Sequence, residues 1–415
     1  MRQEFLRSLI AVKPFCRACL LFLLLCSTLD PALAAPPCTP LETRAANAAG
    51  QHPARPDQTR ACAVATVTPL AVSVVASGLE RPWAVEPLPD GRFVVTEKPG
   101  RMRLVAADGR VGPALAGLPA VDARGQGGLL DVAIGPGFAS DRTLWWSYAE
   151  ARAGGNATSV ARGVLAAGDA ALEDVRVILR TEPAYDGDKH FGSRLVFGTD
   201  GMLYVTLGER SDRATRPQAQ ALDSHLGKVL RIAPDGSVPA DNPYAGRAGA
   251  RPEIYTLGHR NVQAAALDAR GRLWVVEHGT QGGDELNLLA PGANYGWPRA
   301  AYGEEYIGLA IKGAKTQRAE TVQPVYYWDP VIAPSGAQFH SGRGIPEWAG
   351  NLFVGGLKDG VLVRLVLADD RVVGEEHLLA ERGRRVRDVR EGPDGALYVV
   401  TDERDGELLR IAPKQ

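Results

Sequence analysis

One short phrase recurs six times along the 415-residue chain: a turn holding Asp, Asn or Gly, followed at once by an apolar and aromatic run. The copies are Asp90–Val95, Asp141–Trp146, Asp200–Val205, Arg270–Val275, Gly350–Val354 and Asp394–Val399. About ten residues after most of them comes a second run opened by Gly and often closed by a base, as in Gly100–Val105, Gly227–Ile232, Gly360–Leu365 and Gly406–Ile411. In the third copy the gap is longer, and in the second the partner near Val160 to Leu165 reads poorly. Short alternating runs bounded by turn residues, with no long 3.6-residue period, specify an all-β chain. Six strand-turn-strand units roughly 45 to 80 residues apart predict a six-bladed β-propeller over residues 71–415, with loops inserted in the longer intervals. A pair of β-sandwiches is the other all-β reading, but it gives no reason for six similar units.

Propellers bind ligands on inter-strand loops at the mouth of the central channel, so chemical residues should be scattered in sequence and convergent in space. The richest such stretch runs from Gly258 to Pro298. It holds Arg260 and Asn261, then a strand ending at Glu277, then a glycine-rich acidic loop through Gly279, Thr280, Asp284 and Glu285. Exposed carbonyls and carboxylates suit a hard cation such as Ca²⁺, and a neighbouring arginine suits an anion. Other loops offer Gln126 in a glycine turn, His190 just before a strand, and Glu209 just after it. The last two suit a general base and its orienting partner, although a loop histidine can equally be structural. Lys358, Arg385 and Arg387 form a late basic set. Alternation puts the two arginines on one face, where they could grip a polyanion or serve only as a solvated basic edge.

The ends and the charge narrow the class. Arg2, Arg7, Lys13 and Arg17 precede the apolar run Leu20–Leu25 and then Ala32-Leu33-Ala34, the order of a secretory signal over residues 1–34. The run is too short to span a bilayer, so no membrane span is expected in the mature chain. Cleavage would remove four basic and two acidic residues from 47 and 48, leaving a net charge of −3. Neither that balance nor any basic-aromatic stripe implies nucleic acid. Of five cysteines only Cys38 and Cys62 would remain, in an extension over residues 35–70. In an exported protein these two could join and staple an otherwise loose segment by roughly 3 kcal/mol, or stay as free thiols. No Ser-His-Asp order, P-loop, His-Glu-x-x-His or dinucleotide fingerprint occurs.

Seven motifs in order carry a resemblance: Gly125–Leu130, His190-x-x-x-Arg194-Leu195, Gly258–Asn261, Gly282–Asn287, Asn294–Pro298, Ala333–Gly336 and Arg385–Asp388. From about Val72 to Ile411 the chain resembles the soluble quinoprotein glucose and sorbosone dehydrogenases, periplasmic enzymes that use pyrroloquinoline quinone (PQQ) and Ca²⁺. The resemblance implies oxidation of an aldose to its lactone, with electrons passed on to an acceptor that it does not identify. It casts His190 as the base, oriented by Glu209, and Arg260 as the group polarising a quinone carbonyl. Gln126, Asn261, Lys358, Arg385 and Arg387 fall on cofactor contacts, Gly279 and Thr280 on the carbonyls of the cofactor's Ca²⁺, and Glu285 and Tyr295 on a second Ca²⁺. Two positions depart from the glucose enzymes, which look to have Asp at 209 and Pro at 280. A histidine near its usual pKa of about 6.5 would serve as such a base. A Ca²⁺-dependent propeller lactonase and a non-catalytic ligand-binding propeller are the rival readings.

Overall fold

In the computed structural model, which describes residues 38–414, the chain forms six four-stranded antiparallel sheets. The first strand, β1 (Leu70–Leu79), belongs to the last sheet. Blade 1 is β2 (Pro82–Pro87), β3 (Phe93–Glu97), β4 (Arg101–Val105) and β5 (Val111–Ala114). Blade 2 is β6 (Leu129–Ile134), β7 (Thr143–Arg152), β8 (Gly155–Leu165) and β9 (Leu172–Arg180). Blade 3 is β10 (Leu195–Phe197), β11 (Leu203–Thr206), β12 (Lys228–Ile232) and β13 (Ile254–Leu257). Blade 4 is β14 (Val262–Leu267), β15 (Leu273–Glu277), β16 (Asp284–Leu288) and β17 (Tyr326–Trp328). Blade 5 is β18 (Pro334–Phe339), β19 (Leu352–Gly356), β20 (Val361–Ala368) and β21 (Arg371–Leu378). Blade 6 is β22 (Val386–Glu391), β23 (Leu397–Thr401) and β24 (Gly406–Pro413), completed on its outer edge by β1.

The first strands of the blades touch one another in order, β2 to β6, β10, β14, β18, β22 and back to β2. That closes the ring: this is the expected six-bladed propeller. Each of the six repeated phrases falls on the turn into the second strand of a blade. Their chemistry explains the repetition. Asp90, Asp141, Asp200 and Asp394 each accept the N–H two residues on, at 2.9–3.2 Å, while Gly91, Gly201, Gly271 and Gly395 sit at φ of 74–85°, where a Cβ would be strained. The base that closes the third strand returns to the same turn, Arg231 to Asp200 at 2.9 Å and Arg410 to Asp394 at 2.8 Å, with Arg364 on Asn351 at 2.8 Å. One turn carboxylate or amide thus ties three strands.

The cores lie between blades rather than within them. Trp83 and Met102 of blade 1 pack with Trp146 and Leu129 of blade 2, Trp274 of blade 4 with Val363 of blade 5, and Val95 of blade 1 with Leu408 of blade 6. Because a sheet buries both faces against its neighbours, removing one wholly buried tryptophan such as Trp146 would cost about 3–5 kcal/mol.

Three expectations are corrected. The poorly patterned partner of the second copy is a full strand, β8, because unbroken pairing with β7 from Thr143 to Arg152 compensates for its Ala, Ser and Gly content. The acidic loop after Glu277 ends at Gly283, since Asp284 and Glu285 already pair with β17. Residues 39–69 are not loose: Asn47 and Ala48 donate to Asp329 (2.6 and 3.0 Å), Gln58 donates to the Pro324 carbonyl (2.8 Å), and Thr66 accepts from the Trp348 indole (2.9 Å). Cys38 and Cys62 are both disulfide-bonded. The signal over residues 1–34 lies outside the described residues, among which no helix is long and apolar enough to cross a membrane.

Candidate active site

Two kinds of position meet at one end of the ring, the residues entering the first strand of a blade and those leaving its second strand. Gln126, His190, Arg260, Asn261 and Arg385 are of the first kind, and Glu209, His278 and Lys358 of the second. Antiparallel pairing of first and second strands makes them neighbours. Thus His190 and Glu209, 19 positions apart, are joined through β10 and β11, and Gly208 lets them close up: a Cβ there would lie 2.2 Å from the His190 carbonyl oxygen.

His190 is buried and held in the left-handed region at φ 51°. Its N–H donates to Gln126 Oε1 at 2.8 Å, while the Gln126 N–H donates to the Asp188 carbonyl at 2.6 Å, so Gln126 sets the backbone of the histidine. His190 Nδ1 lies 3.4 Å from Glu209 Oε1, and neither atom has another partner. That distance leaves room for the pair to tighten. The other carboxylate oxygen, Oε2, accepts the Ser211 N–H, and the Glu209 N–H donates to the Arg260 carbonyl at 2.9 Å. Burial, reinforced by the Arg260 charge, depresses the His190 pKa to about 4. The usual value expected for this base is therefore corrected downward. Burial works against Glu209 as well, but the contacts with His190, Arg260 and Ser211 hold its pKa below the ordinary carboxylate value.

Beside this pair a cavity of about 350 Å³ opens, lined by Arg81, Lys98, Arg385 and Arg387, with Asp402 as the single carboxylate and Gln126, Gln263, His278 and Trp83 among its walls. Four cations against one carboxylate make it an anion site. Asp402 Oδ2 accepts from Arg385 at 3.2 Å and from Arg387 at 2.5 Å, so the two arginines do converge. Arg387 also donates to Gln263 Oε1 at 3.1 Å, and its buried Nε has no partner. Lys358 is exposed, and Leu357 takes its place on the cavity wall. Asn261 turns its side-chain oxygen to the Gly192 N–H at 3.1 Å. Arg81, Lys98, His278 and Asp402 were not assigned roles from sequence, although the repeat pointed to them. Arg81 enters β2, Lys98 leaves β3, His278 leaves β15 and Asp402 leaves β23, positions equivalent to those of His190 and Glu209.

Arg260 links this cavity to the glycine loop. It donates to the His278 carbonyl at 3.2 Å and to the Tyr306 hydroxyl at 3.3 Å, while its own N–H is fixed on Glu277 Oε2 at 2.6 Å. Asp284 binds the loop to its surroundings, accepting from Gly279 (2.7 Å), Ile332 (2.9 Å) and Ala333 (2.8 Å). A small void touches Gly279, Thr280, Glu277, Glu285 and Tyr295. Glu277 and Glu285 face each other across β15 and β16, and burial together with the Glu277 charge pushes the Glu285 pKa well up. Thr280 Oγ1 and Asn287 Oδ1 are buried without partners. Opposed carboxylates and the orphaned Thr280 oxygen around one void, with Asn287 bonded behind both carboxylates, fit a hard cation. The Tyr295 hydroxyl is committed to the Leu288 carbonyl (2.8 Å) and the Ala290 N–H (2.9 Å), so this residue has only its carbonyl to offer. No cluster of three or more His, Cys, Asp or Glu poised for a metal occurs among the described residues, so carbonyl oxygens would have to share the coordination.

Six blades closed in a ring, with a histidine-carboxylate pair beside a cationic cavity at one mouth, put the chain in the class of six-bladed β-propellers with a polar site at the channel mouth. The family described as Glucose / Sorbosone dehydrogenase matches residues 79–410, and the chain belongs to that family. It is 42% identical over 347 residues to aldose sugar dehydrogenase YliI of Escherichia coli K12, covering 83% of this chain and 93% of that one. Its fold matches a crystal structure of glucose dehydrogenase with a TM-score of 0.81 and 46% identity, over 83% of this chain and all of that one. The PQQ-bound form of an aldose sugar dehydrogenase from Streptomyces coelicolor matches with a TM-score of 0.67 and 30% identity, over 84% and 100%.

Proposed function

We propose that this chain is an exported quinoprotein that oxidises aldose sugars at the anomeric carbon to lactones, using PQQ and Ca²⁺. The observation that carries the reading is the cationic cavity next to the His190–Glu209 pair, of a size and charge for a compact tricarboxylate. Bound there, PQQ would supply the hydride acceptor for C1 of the sugar. Arg387, Arg385 and Gln126 line the volume and would hold its carboxylates and ring edge; Asn261 and Arg260 stand one residue back, bonded to the N–H and the carbonyl of the wall residue His278. Lys358, exposed next to the wall residue Leu357, would swing in toward a bound anion. The Gly279 and Thr280 carbonyls would bind the Ca²⁺ beside it, with Glu285 and the Tyr295 carbonyl around the second ion.

The chain's own part is proton handling and orientation. Glu209 faces Nδ1 of His190 and so favours the tautomer that leaves Nε2 free to accept the anomeric hydroxyl proton. With its pKa depressed to about 4, His190 is neutral at neutral pH. Arg260 would supply positive charge to a quinone carbonyl oxygen as it gains electron density. Family membership and the PQQ-bound relative support this reading over a lactonase, for which four cavity cations would have no task.

Reconstitution tests it. Apo-protein mixed with PQQ and Ca²⁺ should reduce an artificial dye when given aldoses, and gain the quinone absorbance. No turnover across a sugar panel and no bound quinone would end the proposal.

A further inference from the structure

Beside the site, residues Tyr306, Ile307 and Leu309 expose 67%, 70% and 61% of their surface, and the other large exposed apolar residues among those described are all scattered valines. The loop that carries them is closed rather than frayed: the Glu305 N–H donates to the Leu309 carbonyl and the Gly308 N–H to the Glu305 carbonyl, both at 2.8 Å. Next to it lies a cleft of about 460 Å³ walled by Ile307, Leu309, Ala310, Pro217 and Pro298. Its rim is cationic. Arg216 is neutralised by Glu305, but Arg213 and Lys312 are exposed and carry no ion pair among the described residues. The patch starts at the reactive end, since the Tyr306 hydroxyl is 3.3 Å from Arg260.

A sugar's C–H face can stack on an aromatic ring such as Tyr306, but the branched aliphatic side chains of Ile307 and Leu309 offer its hydroxyls no hydrogen bond and little to gain from an open surface. An apolar centre with a charged rim is instead the anatomy of a small, transient protein contact, in which the charges steer and the apolar centre holds. We propose that the Glu305–Leu309 loop and its cleft dock an acidic, one-electron carrier protein that reoxidises the enzyme. The proposal rests on the function argued above. Each sugar oxidised leaves two electrons in the site, so two successive carriers dock, each is reduced by one electron, and two protons leave to water.

The test uses the full chain loaded with PQQ and Ca²⁺, saturating aldose, and three oxidants: acidic plastocyanin, basic horse heart cytochrome c, and dichlorophenolindophenol. Plastocyanin should be reduced about tenfold faster than cytochrome c at low salt, and that advantage should fade as ionic strength rises from about 10 to 200 mM. The double variant Ile307→Asp, Leu309→Asp changes only exposed side chains. It should slow plastocyanin reduction about tenfold and leave dye reduction within about twofold of the wild type. The docking proposal is overturned if the variant leaves plastocyanin reduction unchanged, if dye reduction falls equally, or if gel filtration shows a wild-type dimer that the variant abolishes. Absence of dye reduction by the wild type would overturn the functional reading itself, and the docking proposal with it.

Discussion

The two ends of the propeller channel look alike in outline and differ in chemistry. At the end opposite the candidate site lies the larger cavity, about 520 Å³, lined by Glu86, Arg343, Arg390 and Glu391 among Pro87, Leu88, Ala133 and Phe197. Its charges are matched. Arg343 meets Glu391 at 3.1 Å, and Arg390 meets Asp388 at 3.0 Å. Burial raises the Glu86 pKa to about 8, so that carboxyl is largely protonated at neutral pH and adds no uncompensated charge. At the reactive end the volume is smaller, yet four cations share one carboxylate, and Arg260 Nε, Arg387 Nε and Thr280 Oγ1 are buried with unmet hydrogen bonds. Unsatisfied buried polar atoms cost about 1–3 kcal/mol each, and they are tolerated where a ligand satisfies them. Cavity size does not mark the working end; unmet polar demand does.

Breaking that contrast most severely means removing the base. His190→Asn suits the φ of 51°, because Asn tolerates the left-handed region. It should cut turnover about 10³-fold while PQQ affinity, read by absorbance titration, stays within a few-fold. The same variant tests the pKa. Folded His190 titrates near 4, below the unfolded value of about 6.5, so the folded protein binds fewer protons in that window. Stability from this group is present above pH 6.5 and lost as pH falls to 4. Urea melts should show wild type losing up to roughly 3 kcal/mol relative to the variant over that range, and a constant difference would refute the depressed pKa.

Charge matching is tested next. Arg387→Gln should weaken PQQ binding about 10- to 100-fold, the loss expected for a charge-assisted contact, whereas Arg343→Ala at the matched end should leave it unchanged. Equal losses in both would erase the distinction between the ends. The smallest effect belongs to Glu209→Gln, expected to lower kcat about tenfold with little change in KM, since it removes an orienting charge and keeps the shape. A KM change alone would give Glu209 a substrate-binding task instead.

Much of this was legible in the chain because turn chemistry repeats. Asp-Gly before a strand marked the same place in blade after blade, and the Arg closing the third strand turned out to be its partner. Residues at the reactive end were legible where a motif was dense, as at Gly258–Asn261, and missed where it was thin. Lys98 and Asp402 stand alone in sequence, and only the shared rule of leaving a second strand brings them beside Arg387. Lys358 and Tyr295 show the reverse limit. A sequence can place a residue at a rim, but whether a flexible amine points inward, or a hydroxyl is already committed to Leu288, depends on packing. The apparently loose residues 39–69 carried no periodic signal because their anchoring runs through single contacts to Asp329, Pro324 and Trp348.

The most direct measurement of the central claim is a crystal structure of the apo-protein soaked with PQQ and Ca²⁺. The account predicts quinone density in the smaller cavity, against Arg387 and Arg385 and within reach of His190. Density in the larger cavity beside Arg343 and Arg390, or an unchanged reactive end at saturating cofactor, would contradict it.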